Sequence, residues 1–165
     1  MEGGIVKAAF SRKLAKNGSY IGDGAKISKW PTFPHGLYGV FISGGAEIGE
    51  DCVIFQHVTI GSNTLIDSKR FGAPHIGSNC YIGAGAKIIG NVTVGDNCRI
   101  GAGTVVVNNI PNNSVVVQGE NRIFHKEKVD NRFYNKDSNG KWGYFHDGKR
   151  VVVGLEFPDK INELV

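Results

Sequence analysis

The sequence has few of the features that mark secreted, metal-binding and membrane-spanning proteins. Its 165 residues include only three cysteines, Cys52, Cys80 and Cys98, and none of them belongs to a Cys-x-x-Cys pair. This pattern argues against a disulfide-stapled scaffold and a zinc module, and it favours the reducing cytoplasm. No apolar run approaches the roughly 20 residues that cross a bilayer, and the N-terminal stretch contains no signal-peptide core. We therefore expect a chain with no membrane span.

Charge and nucleotide-binding motifs are equally sparse. Nineteen basic residues against 15 acidic ones give a net charge of +4, without the concentrated basic face that nucleic-acid binders need. Neither a dinucleotide fingerprint nor a phosphate-binding P-loop is present. The histidines lack the close spacing that metal ligands usually have. The sequence therefore predicts no nucleic-acid partner, no bound metal, and neither ATP nor NAD as a cofactor.

Glycine, by contrast, is abundant, with 24 residues. It accompanies a sequence repeat in which an aliphatic residue recurs every six residues. A compact side chain lies four residues after nine of the eleven aliphatic anchors. A period of six fits neither an α-helix nor simple strand alternation, but it suits a short strand and a tight corner coiled into a prism. Independent hairpins in a sandwich are the alternative, and their spacing of about 8 to 12 residues fits less well. The anchors are Ile42, Ile48, Ile54, Ile60 and Ile66, then Ile76, Ile82, Ile88, Val94, Ile100 and Val106. The compact positions are Ala46, Cys52, Val58, Thr64, Cys80, Ala86, Val92, Cys98 and Thr104.

The repeat divides the chain into three predicted segments. The same step of six separates Ile21 from Ile27, so we expect an N-terminal cap over residues 1–20 and a coiled domain over residues 21–124. Residues 125–165 form a polar appendage, in which Asp147-Gly148 between alternating segments predicts a β-hairpin. All three cysteines occupy compact inward positions, which favours a buried structural role over a nucleophile.

One interruption breaks the repeat. Between Ile66 and Ile76 the step is ten, so about four residues of DSKRFGAPH must leave the prism as a loop. The loop contains Lys69, Arg70 and His75. Such excursions often carry function, although a tolerated surface insertion is the alternative.

The repeat, together with AKISKWPTFPHG, IFQHVTIGSNT and the glycine-rich stretch GAPHIGSNCYIGAGAKIIGNVTVGDNCRIGAGTVVV, resembles the hexapeptide-repeat acyltransferase family. The similarity lies with the serine acetyltransferases and their polysaccharide-modifying relatives, and it covers roughly residues 20 to 124. It implies an all-β fold: a left-handed parallel β-helix with three hexapeptides per turn, a short N-terminal cap and a small C-terminal β-hairpin appendage. It also implies acetyl-CoA as acyl donor and a homotrimer.

The resemblance also implies the site. In this family branch a catalytic histidine follows the Ile of Ala-Lys-Ile by eight residues, and His35 has that separation from Ile27. We therefore take His35 as the general base for direct transfer. His57 is a second candidate that lines the same cleft between subunits. His75 ranks third, because the second active-site histidine of the branch aligns with Ala73. Ordinary loop or corner histidines remain the alternative for each.

Coenzyme A lies in a groove between adjacent coils in the resembled family. Its pantetheine arm would contact backbone, and its phosphates would meet basic side chains. Corner glycines and solvated basic residues are the alternative interpretation. The matching backbone positions are Gly83, Ala84, Gly101 and Ala102, and the matching charge partners are Lys87, Arg99 and Arg122.

Two departures from the branch affect the expected acceptor. Tyr20 and Pro34 occupy the positions where serine acetyltransferases carry acidic residues. We therefore expect a sugar or polysaccharide hydroxyl as acceptor, with serine as the alternative and a non-catalytic scaffold as a third possibility. Orientation of His35 would then fall to Asp23, Glu47 or an acid from a neighbouring subunit.

Overall fold

The structure is a computed structural model, and its chain falls into two compact units, Met1–Asn131 and Arg132–Val165. No helix in the described part of the chain is both long and apolar enough to cross a membrane. The residues that the structure describes are 10–119, 122–125, 127, 131–132 and 135–153.

The first unit is built from short strands of two to four residues. They are β1 (Tyr20–Ile21), β2 (Lys26–Ile27), β3 (Phe41–Ile42), β4 (Glu47–Ile48), β5 (Val53–Ile54), β6 (Thr59–Gly61), β7 (His75–Ile76), β8 (Tyr81–Ile82), β9 (Lys87–Ile89), β10 (Thr93–Val94), β11 (Arg99–Ile100), β12 (Val105–Val106), β13 (Ser114–Val117) and β14 (Arg122–His125).

These strands make three sheets, which are the three faces of a left-handed parallel β-helix. Face 1 has the order β1-β3-β6-β9-β12, face 2 has β10-β7-β4-β2, and face 3 has β14-β13-β11-β8-β5. The chain visits faces 1, 2 and 3 in turn, as the repeat predicts. Neighbouring strands on a face are parallel, except that β14 runs antiparallel to β13. The predicted fold class is thus confirmed.

The strand register records where the chain departs from an ideal coil. Phe41 pairs with Thr59, a separation of one 18-residue turn. Tyr20 pairs with Phe41, 21 residues away, so the first coil has three additional residues. Glu47 pairs with His75, 28 residues away, because that coil contains the predicted loop.

The core is a stack of anchors and compact residues inside the prism. Ten of the eleven predicted anchors are buried, and Ile42, Ile54, Ile60, Ile82 and Ile88 are fully inaccessible. Ile66 is the exception, because 92% of its surface is exposed. Thr64 is also exposed rather than inward. The assignment of these two residues to the repeat was therefore wrong.

The reason is that the chain leaves the prism earlier than the spacing indicates. After Gly61 the segment 62–74 runs outward, and an antiparallel bridge between Asn63 and Gly72 closes its base. Ile66 lies near the tip of this loop, where no neighbouring coil covers it. Although its spacing fits the repeat, the next true anchor is Ile76.

Glycines after the anchors are required by the close approach of successive coils. An added Cβ at Gly77 would lie 2.8 Å from the Asp96 backbone nitrogen, and one at Gly83 would lie 2.7 Å from that of Ala102. The left-handed corner itself falls two residues later, for example at Asn79 with φ 55°. Asparagine, aspartate and glycine tolerate that conformation best.

The ends of the described chain have their own elements. Residues 10–16 are helical, and Leu14 from this segment is buried. The second unit is an antiparallel sheet of β15 (Asn135–Lys136), β16 (Trp142–His146) and β17 (Lys149–Val152). The turn between β16 and β17 is the predicted Asp147-Gly148, with positive φ at both residues as a type I′ turn requires. Strand β15 was not predicted.

Candidate active site

Both catalytic candidates lie on one edge of the prism, where the chain passes from face 3 to face 1. We call this the His35 edge. Backbone hydrogen bonds connect its successive corners: His57 N donates to Tyr38 O over 2.8 Å, Gly85 N to Gln56 O over 3.0 Å, and Gly103 N to Ala84 O over 2.8 Å. The fold therefore stacks the predicted catalytic and cofactor-binding corners in one line. The edge comprises residues 33–40, 55–58, 83–86 and 101–104.

His35 lies in the enlarged first corner, where the three additional residues of that coil form an outward turn. Its side chain is exposed. The Nδ1 atom is 2.8 Å from Oε1 of Gln56. The ring of Phe55 meets the imidazole edge to face, with centroids 5.4 Å apart and an interplanar angle of 89°. An amide and an aromatic ring from the next coil thus hold the imidazole.

The acids expected to orient His35 lie elsewhere in the prism. Glu47 is on face 2, where its carboxylate accepts hydrogen bonds from Lys26 at 2.6 Å and from His75 at 3.2 Å. Asp23 lies in the corner between β1 and β2, which leads from face 1 to face 2. Within this chain the polar partner of His35 is therefore Gln56.

Gln56 was missed in the sequence, although a signal for it was present. The first coil has a register of 21 residues, as the pairing of Ile21 with Ile42 records. The same shift applied to His35 reaches Gln56. Spacing therefore made Gln56 one candidate for the residue over His35, and the hydrogen bond identifies it as the partner.

His57 occupies the left-handed position of its corner, with φ 59°. The equivalent residues in the two following coils are Gly85 and Gly103, with φ 70° and 69°. The exposed imidazole of His57 packs against Gly39 of the preceding coil, where an added Cβ would overlap the ring. A histidine at a corner that otherwise takes glycine is an unfavourable backbone choice, and such choices concentrate at functional sites.

The backbone candidates for cofactor binding divide into two kinds. Gly83 and Gly101 have structural reasons for being glycine, and their N–H groups donate to Ile100 O and Val116 O. Ala84 is half-buried and Ala102 is exposed on the His35 edge. These corners therefore present only small side chains at the surface of the His35 edge.

Two of the basic candidates, Lys87 and Arg122, lie on different faces. Lys87 is exposed on β9 of face 1, the strand that follows the Ala84 corner. Arg122 is in β14 on face 3, where its backbone pairs with Val117. The side chain of Arg122 lies outside the described part of the structure. Among the basic residues that the structure describes, Lys87 is therefore the one nearest in sequence to the Ala84 corner.

His75 belongs to a polar row across face 2. The His35 edge lies elsewhere, between faces 3 and 1. Lys26, Glu47 and His75 are register partners on three adjacent strands. Hydrogen bonds from Lys26 and then His75 lower the pKa of the Glu47 carboxyl. An open groove of about 460 Å³ lies over this row and contains neither His35 nor His57.

The loop 62–74 projects from the edge between faces 1 and 2. Arg70 holds it against later coils through Asn108 Oδ1 at 3.2 Å and Asn109 Oδ1 at 3.3 Å. Backbone bonds from Asn91 to Arg70 and between Asn63 and Gly72 fix the rest. In one chain, the loop and the His35 edge are therefore on different edges of the prism.

The three cysteines form a buried column, as their inward positions predicted. Their thiols donate to backbone carbonyls, for example Cys98 to Pro111 O at 3.1 Å. Hydrogen bonding to the thiols of Cys52 and Cys98, together with burial, raises the pKa of Cys80. Such thiols are structural packing groups.

The left-handed parallel β-helix of hexapeptide repeats is the feature that this chain shares with known proteins. Residues 73–108 match the family model described as bacterial transferase hexapeptide (six repeats). The match to this model, together with the likeness to the relatives below, supports a hexapeptide-repeat transferase fold for this chain.

The relatives that the chain resembles are serine acetyltransferases. It is 38% identical over 112 residues to that of Synechococcus elongatus, covering 68% of this chain and 45% of the relative. It is 42% identical over 128 residues to that of Synechocystis, covering 75% and 50%. The chain thus spans about half the length of these curated relatives.

Solved structures give the same likeness. The soybean serine acetyltransferase apoenzyme matches with a TM-score of 0.58 and 34% identity, covering 65% of this chain and 43% of that one. The Neisseria gonorrhoeae serine acetyltransferase in complex with serine matches with a TM-score of 0.56 and 31% identity, covering 64% and 42%.

Proposed function

We propose that this protein is an acetyl-CoA-dependent O-acetyltransferase that acetylates the hydroxyl of serine, with His35 as general base. The observation that carries the proposal is the exposed His35, held by Gln56 and Phe55 on the edge where the repeat corners stack. The serine acetyltransferase relatives support both the donor and the acceptor. Serine, which the sequence leaves open as the alternative acceptor, has better support than the saccharide that Tyr20 and Pro34 favour.

The residues on the His35 edge suit direct transfer. Acetyl-CoA supplies an acetyl group already activated as a thioester. His35 removes the proton from the acceptor hydroxyl, and the hydroxyl oxygen attacks the thioester carbon. The new C–O bond forms as the C–S bond breaks, and His35 returns the proton to the departing sulfur. No acyl-enzyme is required, which agrees with the burial of all three cysteines.

The proposed donor groove runs along the stacked corners. Ala84 and Ala102 present small side chains there, beside the backbone of Gly83 and Gly101, and such a surface suits a pantetheine arm. Lys87 stands beside it as a partner for the phosphates. Arg122 is a further proposed phosphate ligand, and His57 lines the acceptor side.

We also propose that the protein is a homotrimer, because hexapeptide-repeat acetyltransferases are typically trimers. Within one chain the loop 62–74 is on a different edge from His35. A neighbouring subunit could bring its own loop, with Lys69 and Arg70, to that edge. The free cysteines support a reducing compartment such as the cytoplasm.

A saccharide hydroxyl is the second candidate acceptor, supported by two residues. Tyr20 and Pro34 replace the acids expected of a serine-binding site. Tyr20 is 53% exposed and stacks on the exposed Phe41, with ring centroids 5.2 Å apart. An exposed aromatic pair on face 1 is a suitable platform for a sugar ring.

The test is thiol release from acetyl-CoA by the purified chain, with serine in one series and amino sugars, nucleotide sugars and oligosaccharides in another. We expect serine to accelerate release and O-acetylserine to accumulate in equal amount. If a saccharide and not serine accelerates thiol release, the acceptor is a saccharide hydroxyl and the serine assignment is wrong. No acceleration by any acceptor, together with no acetyl-CoA binding, would favour a non-catalytic scaffold.

A further inference from the structure

The side chain of Gln56 has a specific role beside the proposed base. We propose that Gln56 is a positioning residue whose amide oxygen fixes His35 in the tautomer that leaves Nε2 free to accept a proton. This inference rests on the proposed function for the identity of the reaction, but its structural part can be measured without activity.

The hydrogen bond sets the tautomer. An amide oxygen is only an acceptor, so the imidazole nitrogen 2.8 Å from Gln56 Oε1 must carry the hydrogen. In a neutral imidazole, a hydrogen on Nδ1 leaves Nε2 with its lone pair unprotonated. In its neutral form, His35 is therefore the tautomer that a general base requires, with Nε2 on the side of the ring away from Gln56.

The backbone holds Gln56 in place for this contact. Its carbonyl accepts the N–H of Gly85 from the following coil at 3.0 Å. The adjacent residue, His57, donates its N–H to Tyr38 of the preceding coil at 2.8 Å. Phe55, on the other side of Gln56, fixes the plane of the imidazole edge to face. Consecutive residues of one corner thus restrain both the hydrogen bond and the ring plane.

The hydrogen-bond partner of His35 is the neutral amide of Gln56 and not a carboxylate. A carboxylate beside the imidazole would orient it and would also stabilise the imidazolium formed during the reaction. Gln56 provides orientation without that charge. The carboxylate of Glu47 is occupied on face 2 by Lys26 and His75. A glutamate at position 56 should therefore make proton uptake by His35 easier, whereas an alanine should remove the orientation.

Three variants separate positioning from structure in the oligomeric parent protein. Q56A should lower kcat by about 10- to 100-fold, because a misplaced base loses its alignment, while KM for acetyl-CoA stays near the parent value. H35A/Q56A should be no slower than H35A, since Gln56 acts only through His35. Q56E should restore much of kcat and move the acidic limb of the pH–rate profile to higher pH. Thermal unfolding of each variant checks that it folds.

Nitrogen chemical shifts of the His35 imidazole provide the readout that needs no turnover. The parent should show hydrogen on Nδ1 over the neutral range, Q56A should lose this preference, and Q56E should titrate at higher pH. An Nε2–H tautomer in the parent, or a parent-like kcat in a folded Q56A, would overturn the inference. If the parent protein has hydrogen on Nδ1 but no transferase activity, the proposed function is wrong. The contact between Gln56 and His35 then has no catalytic role.

Discussion

At the scale of single residues, the contact between His57 and Gly39 explains two unusual backbone choices. Gly39 has φ 63°, and its missing Cβ leaves the space in which the His57 ring lies. His57 has a left-handed backbone itself, at a corner where the next two coils use glycine. The pair places an imidazole on the His35 edge at the cost of local strain.

This contact predicts a difference between two glycine substitutions. Gly18 also has φ 63°, but an added Cβ there meets nothing within 4 Å. Both G18A and G39A should lose roughly 1–2 kcal/mol of stability from the left-handed backbone. G39A should lose about 1–3 kcal/mol more, because its Cβ displaces the His57 ring. Chemical unfolding of both variants measures the difference.

The double variant G39A/H57A provides the control. Removing the ring should recover most of the additional loss in G39A. Equal destabilisation by G18A and G39A would contradict the packing of His57 against Gly39.

At the scale of elements, the boundary of the loop 62–74 decides which isoleucines stabilise the prism. Ile60 and Ile66 fit the same six-residue spacing, yet Ile60 is fully buried in β6 and Ile66 is 92% exposed. The spacing alone could not distinguish them. A residue becomes an anchor only when it lies within a coil of the prism, and the chain leaves the prism after Gly61.

The two isoleucines therefore form a matched pair. I60A should destabilise the protein by about 2–5 kcal/mol through a cavity in the core, whereas I66A should change stability by no more than about 0.5 kcal/mol. Denaturant titration gives both values. A large loss in I66A would show that the loop packs against the prism in a way that its exposure contradicts.

At the scale of the whole molecule, the β-helix was predictable because its constraints are local and repeated. Each hexapeptide needs an aliphatic anchor, a compact inward residue and a tight corner, and ten buried anchors agree with the pattern. What the spacing did not provide was the exit point of the loop, which depends on neighbouring coils, and strand β15 in the second unit.

The candidate site was predictable in part. The resemblance proposed His35, His57 and the alanine corners, and the fold stacks them on one edge. It did not identify Gln56, because that contact depends on the three additional residues in the first coil. The expected role of Glu47 is also corrected, since its carboxylate pairs with Lys26 and His75 on face 2. The acceptor expectation changes from a saccharide to serine on the strength of the relatives.

The most direct test of the central claim compares two histidine variants in acetyl transfer. His35 lies on the edge assigned to the reaction, whereas His75 is paired with Glu47 on face 2. H35A should lower acceptor-dependent thiol release from acetyl-CoA by about 10²- to 10⁴-fold, the usual contribution of a general base, without loss of folded structure. H75A should release thiol at close to the parent rate, because the imidazole of His75 is paired with Glu47 on face 2. Parent-like release by a folded H35A would contradict the assignment of the active site to the His35 edge.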